Sequence, residues 1–549
     1  MRRWNGWGDD TIHFALAPDA LAFLAQRIGG SRSRDAGDDA SFEQACAAVA
    51  PSRLPPHRLI DTGAAVRVRH ALGQSLPDWL KLRYGRIGMA PDGVAFPESA
   101  DDVRELLHYA QRYRVALIPH GGGTSVAGHL TVEDSAQPVL SVSTTRMCRL
   151  HHLDRESQLA TFGAGVFGPD LEAQLRAHGY TLGHFPQSFE YSTLGGWIVT
   201  RSSGQQSLRY GRIEQLFAGG VMETPSGRLE IQTFPASAAG TDLREIVLGS
   251  EGRMGILTEA TVRVTPAPEY EAFHAVFYPD WKSAETAVRE LAQAKLGLSM
   301  LRLSNGVETQ TMLALAGHKK LIGALEAYLS LRGCGEGKCM LMLGTSGGKP
   351  QARAAMAQAL KLARKRGGVH IGCKMGDKWK QNRFRNVYLR NAAWEHGYVI
   401  DTVETAVDWP RVESTMQAVE AAAKQALATH GEMVHTYTHL SHLYAQGASV
   451  YTTFVYRLAG NFDEDMARWR TLKGAVSQAI VDCGGTISHQ HGVGSDHAPY
   501  LAAEKGAAGI AAMAAIFRHF DPQGVMNPGK LLPDAQPAVA SAQARGMAA

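Results

Sequence analysis

Val115-Ala116-Leu117-Ile118-Pro119-His120-Gly121-Gly122-Gly123-Thr124-Ser125 carries an apolar run straight into three glycines and two hydroxyls. The run reads as a strand, and the glycines let the backbone turn its amides into one concavity that suits a pyrophosphate. A plain tight turn fits the same residues. Upstream lie a strand signal at Val94, a helix start at Ala100-Asp101-Asp102 and an amphipathic Val103 to Arg114, so the whole forms a β-α-β unit that opens an α/β domain.

Downstream, Val139 to Val142 and Leu159 to Phe162 read as strands, and Pro169 to His178 as a helix ended by Gly179, with the alternation continuing to about Val264. Two more polar, glycine-bearing loops fall in this region. The first is Gln187-Ser188-Phe189-Glu190-Tyr191-Ser192-Thr193, which leads through Leu194-Gly195-Gly196-Trp197 to Thr200-Arg201-Ser202-Ser203. The second is Glu251-Gly252-Arg253-Met254-Gly255-Ile256-Leu257, immediately before a strand. Three such loops in one domain can line one long ligand, and FAD has the length to touch all of them. The common nucleotide motifs are not the explanation. The first loop lacks the GxGxxG spacing, and Gly344-Thr345-Ser346-Gly347-Gly348-Lys349-Pro350 puts proline where a Walker loop needs a hydroxyl.

Near Pro266-Ala267-Pro268 the texture changes to longer alanine-rich helices, Ser283 to Lys295 and Ala352 to Lys365, separated by strands such as Ser299 to Leu303. The expected division is an N-terminal extension (1–87), a cofactor domain (88–268), an α+β substrate or cap domain (269–484), a C-terminal segment completing the cofactor site (485–532) and a disordered tail (533–549). A chain of 549 residues is too long for a single core.

A net charge of +4 with no sustained Lys/Arg run argues against nucleic acid and leaves anionic small molecules as partners. The six cysteines form no CxxC pair, which suggests reduced thiols in a cytoplasmic setting. No run reaches the ~18 unbroken apolar residues of a membrane span, so no crossing is expected, while peripheral membrane contact stays open. Met1 to Asp10 lacks the apolar core of a secretory signal, and Gly546-Met547-Ala548-Ala549 is not a Ser-Lys-Leu type address.

Acid-base chemistry is suggested by Ser488-His489-Gln490-His491-Gly492-Val493-Gly494, two imidazoles among glycines, with Tyr451 in a strand-like run before them. A half-buried sheet position is the plain reading of that tyrosine. His435, His439 and His442 are spaced four and three apart, but Thr436, Tyr437, Thr438 and Tyr444 favour extended structure, where those spacings do not share one face. No metal is expected.

The three loops, with the Asn527-Pro528-Gly529-Lys530 ending, resemble the FAD-binding domain of the vanillyl-alcohol oxidase (PCMH-type) superfamily. Trp4-Asn5-Gly6-Trp7-Gly8, Leu194-Gly195-Gly196-Trp197 and His489 to Gly494 are similar, more narrowly, to the alkyldihydroxyacetonephosphate synthase family. The resemblance implies a two-lobed α+β fold and FAD as cofactor; nothing in the spacing around His120 requires a covalent flavin link, so a noncovalent FAD is expected. It also implies exchange of the acyl group of acyl-dihydroxyacetone phosphate for a fatty alcohol through a flavin adduct, on the way to ether lipids. Pro119 to Ser125 would hold the pyrophosphate, and the other loops the rest of the cofactor. Tyr451, His489, His491 and Arg302 take catalytic roles by the same resemblance, and Arg390 binds substrate, a phosphorylated small molecule or lipid; a homodimer is also implied. A guanidinium suits a phosphate monoester because its planar fork makes two charge-assisted bonds.

One departure stands out: where the family shows three consecutive histidines, this chain has Gln490 in the middle, and an amide is no base. The same position carries a glutamate in flavin hydroxyacid dehydrogenases of the lactate or glycolate type, the rival reading. A flavin-binding scaffold without activity is the third.

Overall fold

The computed structural model describes residues 1–532 except 35, 133–134 and 317–318. The tail expected to be disordered lies outside the described residues.

The β-α-β unit forms as expected from its local chemistry. Ser99 caps the helix Ala100–Tyr113 by accepting from the Asp102 amide, Asp101 and Asp102 sit at its positive end, and Arg114 ends it in a left-handed conformation (φ 52°). Val103, Leu106, Leu107 and Ala110 make its buried face. The flanking strands Gly93–Ala95 and Ala116–His120 do not pair with each other; both run parallel to Val139–Ser143, which lies between them. Ala116–His120 is therefore an edge strand, which is where Pro119 is tolerated. That edge is not bare. Leu117 exchanges backbone hydrogen bonds with Val525 and Asn527, so the C-terminal segment extends the sheet.

Beyond residue 145 the structure departs from βα alternation. Leu150–Asp154, Leu159–Gly163, Phe217–Thr224, Gly227–Ile231 and Ile256–Arg263 form a separate five-stranded antiparallel sheet. Buried apolar runs do not distinguish parallel from antiparallel pairing, and the strands were legible only as strands.

The substrate lobe is a seven-stranded antiparallel sheet in the order 369–370, 270–278, 339–347, 300–304, 435–440, 447–457, 398–408. Its register builds the site. Tyr451 lies directly opposite Glu404 on one side and His439 on the other, and His439 lies opposite Ser304, two residues beyond Arg302. Directly opposed residues share a face, as do residues two apart. Arg302, His439, Tyr451 and Glu404 therefore project from the same face.

Arg2 and Asp9 bridge in a tight N-terminal hairpin, and the Asn391 side chain bonds both the amide and the carbonyl of Trp7. The first residues are thus part of the folded body. The helix Leu501–Phe520 was not expected from the sequence. Among the described residues, Ala498–Phe520 is long and apolar enough to cross a membrane by length and composition alone, where no such span was expected. Glu504, Lys505 and Arg518 interrupt its apolar run.

Candidate active site

One cavity of about 1110 Å³ joins the two lobes. Its cofactor end is walled by Pro119, His120, Gly121, Gly122, Gly123, Thr124 and Ser125, by Gln187, Ser188, Ser192 and Thr193, by Thr200 and Ser202, and by Glu251, Gly252, Gly255, Ile256 and Leu257. All three loops converge there. The other members of those segments do not reach the wall. Phe189 and Met254 are core residues, Tyr191 bonds Tyr388, Arg201 pairs with Glu245, Arg253 reaches the Asn527 carbonyl, and Glu190 and Ser203 are not among the lining residues. A segment in irregular structure turns only some of its side chains to one side, so taking each loop whole overshoots.

FAD fits this end on the chemistry of the wall. The loop glycines are needed for close approach: a β-carbon on Gly122 would overlap the Tyr191 carbonyl oxygen, and Gly123 has φ 63°. Glycine backbone and the hydroxyls of Thr124, Ser125, Ser192, Thr193 and Ser202 line it together, the composition an anion nest requires. The volume exceeds the ~300–1,000 Å³ of ordinary ligand pockets, leaving room for a cofactor and a substrate together.

At the centre, the Tyr451 phenol is buried, which pushes it up to about 12. His439 stacks on it with ring centroids 4.7 Å apart, and His491 meets it edge-on at 5.8 Å. Burial lowers the His491 imidazole, so it is a neutral proton acceptor. Arg302 Nη2 donates to Glu308 Oε1 at 2.7 Å, and His439 Nδ1 lies 2.9 Å from the same oxygen. Burial works against the Glu308 charge, but Arg302 and His439 prevail and hold the carboxyl at about 2. Glu308 gave no sequence signal because its link to His439 spans 131 residues, and His439, named with His435 and His442, could not be tied to Tyr451 before strand pairing was known.

Arg390 differs from Arg302. It stacks on Trp79 at 4.3 Å and donates to the Gln74 carbonyl at 2.8 Å, yet no carboxylate lies within ion-pair distance among the described residues. Burial lowers its guanidinium, while Asp401, on the same cavity wall but beyond ion-pair distance, favours the charge.

His489 and His491 part company. His491 and Gln490 line the cavity; His489 does not. His489 Nε2 accepts from Arg212 Nη1 at 2.7 Å, with Tyr444 Oη at the same distance, and its Nδ1 lies 3.2 Å from Glu404 Oε1. Burial holds this imidazole down at about 4. Both imidazoles face Glu404, His489 at 3.2 Å and His491 at 3.9 Å, but only His491 also lines the cavity and meets Tyr451, so the expected pair is corrected to one imidazole at the phenol.

Glu404 gathers His489, His442 (3.4 Å) and, through Oε2, the Gln490 amide at 2.6 Å. Burial opposes its charge, and His489 and His442 outweigh it and hold the carboxyl well below the usual range. Glu404, His442 and His489 bring three ligand atoms close enough for a metal ion. Because Arg212 donates to His489 Nε2, the ring proton must reside on Nδ1, where it faces the carboxylate. That contact is one of ion-pair distance, since His489 Nδ1 has no partner of hydrogen-bond geometry among the described residues. Of the three histidines in the earlier run, only His442 takes part.

The cavity's far end is apolar. Phe14, Leu16, Met312, Leu325, Met342 and Trp379 line it.

The fold and this wall define a two-domain FAD-dependent flavoenzyme. The FAD binding domain family matches residues 91–231, and the family of FAD linked oxidases, C-terminal domain, matches residues 267–531. Alkyldihydroxyacetonephosphate synthase of Dictyostelium discoideum is 31% identical, over 87% of this chain and 79% of its own length. The protein of that name from Trypanosoma brucei brucei is 31% identical, over 97% of this chain and 92% of its own. A solved structure of an alkyldihydroxyacetonephosphate synthase superposes with a TM-score of 0.81 at 25% identity, covering 96% of this chain and 98% of that one. The chain belongs to the alkyldihydroxyacetonephosphate synthase family.

Proposed function

We propose that this enzyme replaces the acyl group of acyl-dihydroxyacetone phosphate with a fatty alcohol. The observation that carries the reading is Arg390, a buried cation with no carboxylate within ion-pair distance among the described residues, on the same cavity as Tyr451 and a long apolar wall. Such an arrangement suits a substrate that is anionic at one end and aliphatic at the other.

FAD supplies an electron-poor ring that can engage the reacting carbon without net oxidation of the substrate. The chain does the rest. Arg390 takes the phosphate with its guanidinium fork. The Tyr451 hydroxyl keeps its proton at neutral pH and can deliver it, while His491 beside it receives one. The apolar wall holds the chains and excludes water.

The cavity's outer rim suits a lipid source. Exposed Leu321 and the cations Lys374 and Lys378 line the cavity where it opens, which supports peripheral contact with an anionic membrane surface. Co-sedimentation with anionic vesicles, and not with neutral ones, is the expected result.

The deciding assay supplies acyl-dihydroxyacetone phosphate and a labelled fatty alcohol. One fatty acid should appear for each labelled alkyl product. Anaerobic bleaching of the flavin by D-lactate or glycolate, without exchange, would replace this reading with that of a 2-hydroxyacid dehydrogenase.

A further inference from the structure

Lys374, Lys378, Asn382, Asn386 and Arg390 recur at every fourth residue, and all of them line the cavity. The spacing acts as one face because the chain stays helical across it. Helix Lys374–Asn382 leads into a turn in which Arg383 and Arg385 keep right-handed helical angles, then through Asn386–Tyr388 into Leu389–Glu395. Residues four apart share a helix face, so a single polar face of this segment is turned to the cavity. At the helical rise of about 1.5 Å per residue, Lys374 to Arg390 covers roughly 24 Å. Other elements make the apolar wall. Helices Gly306–Leu315 and Lys319–Leu331 supply Met312, Leu315, Leu321, Ile322 and Leu325 to the same cavity.

The charge on the polar face is not neutralised by the protein. Lys380, on the same helix but not on the cavity wall, pairs with Glu271 at 2.8 Å. Lys374 and Lys378 have no carboxylate within ion-pair distance among the described residues. The Asn386 side chain makes no hydrogen bond among the described residues. Asn382 gives one amide proton to the Lys378 carbonyl at 3.0 Å, which leaves its second proton free. Membrane contact alone requires cations at the rim only, whereas here the free donors continue inward to the guanidinium. Cations along a low-dielectric cavity focus the field on an arriving anion, and what they add is a rate of entry that salt screens.

We propose that Lys374, Lys378, Asn382 and Asn386 form the track by which the phosphate head of the acyl substrate enters, passing from the rim to Arg390 with its chain trailing along the apolar wall. The inference rests on the reading that Arg390 seats a phosphate. An uncharged fatty alcohol gains nothing from the two lysines, so the track sorts the two substrates by charge. The four residues steer, and the chemistry stays with Tyr451 and His491.

The test uses the full-length FAD-loaded enzyme, a short-chain acyl-dihydroxyacetone phosphate that stays monomeric in solution, and no vesicles. The ratio kcat/KM is followed from about 0.01 M to about 0.15 M salt, over which the Debye length shrinks from about 30 Å to about 8 Å. For the phosphorylated substrate the wild-type ratio should fall about tenfold. K374Q/K378Q should start about tenfold lower and lose the salt slope. Its loss should fall on kcat/KM rather than kcat, with the KM for the alcohol unchanged. N386L should lower the ratio by the same factor at every salt concentration, because a neutral donor is not screened. A wild-type slope in K374Q/K378Q, a loss shared equally by the alcohol, a slope that appears only with anionic vesicles, or a wild-type ratio in N386L overturns the track. A preference for phosphorylated over dephosphorylated acyl substrate that does not vary with salt keeps the seat at Arg390 and removes the track. Equal ratios for the two at every salt concentration remove the phosphate seat itself.

Discussion

Tyr451 and His439 stack with their ring planes 18° apart, and the same imidazole is tied through Glu308 to Arg302. The phenol is therefore clamped in the sheet by a neighbouring strand, with its hydroxyl presented to the cavity rather than left to rotate with solvent. Three of these four residues take their positions from strand register, so the geometry is as rigid as the sheet.

Tyr451→Phe keeps the stacked ring and removes only the hydroxyl. Turnover should fall by ~10²–10⁴, the usual contribution of a positioned acid or base, with FAD still bound. A variant that exchanges alcohol at the wild-type rate would take Tyr451 out of the chemistry.

Arg390→Ala removes the unpaired guanidinium. Loss of charge-assisted bonds worth about 1.5–3 kcal/mol predicts a KM raised roughly ten- to a hundredfold. The Trp79 face is vacated too, so Arg390→Lys is the finer probe; it keeps the charge but not the fork and should recover only part of the loss. Equal KM values for phosphorylated and dephosphorylated substrates in the wild type would show that the cation has another purpose.

Glu308 gives a pH signature in stability. Its carboxyl is held at about 2, below its unfolded value of 4.5, so its contribution is complete above the unfolded value and disappears as pH falls through the folded one. A depression of that size corresponds to about 3 kcal/mol. Urea unfolding of Glu308→Gln should show that loss at neutral pH and a smaller one near pH 3. An identical loss at both would mean that packing, not charge, is being measured.

The Glu404, His442 and His489 cluster should work without a metal, because Arg212 already fixes the tautomer of His489. Activity should survive prolonged chelation, and elemental analysis should find no stoichiometric ion. One tightly held zinc per chain would contradict the tautomer argument.

Gln490→His puts an imidazole where the amide now donates to Glu404. The rate profile should gain an ionisation near neutral pH. An unchanged profile would mean that position 490 does not exchange protons with the substrate.

The sequence made the cofactor end legible because its signal is local: glycines follow a strand and hydroxyls follow glycines within a few residues. Tyr451 could be found in its strand and His439 in the histidine run, but not that strand pairing sets His439 and Glu404 on either side of the phenol. The helix Leu501–Phe520 escaped notice because alanine recurs all round it and no apolar face repeats at helical spacing.

The hydrogen bonds between Leu117 and residues 525–527, and from the Asn527 amide to the Glu251 carbonyl at 2.7 Å, have a consequence for biosynthesis. A wall begun by Pro119 is closed by residues among the last described to be translated. A chain that lacks residues 525–527 cannot seal its flavin in place, and products truncated before them should emerge colourless.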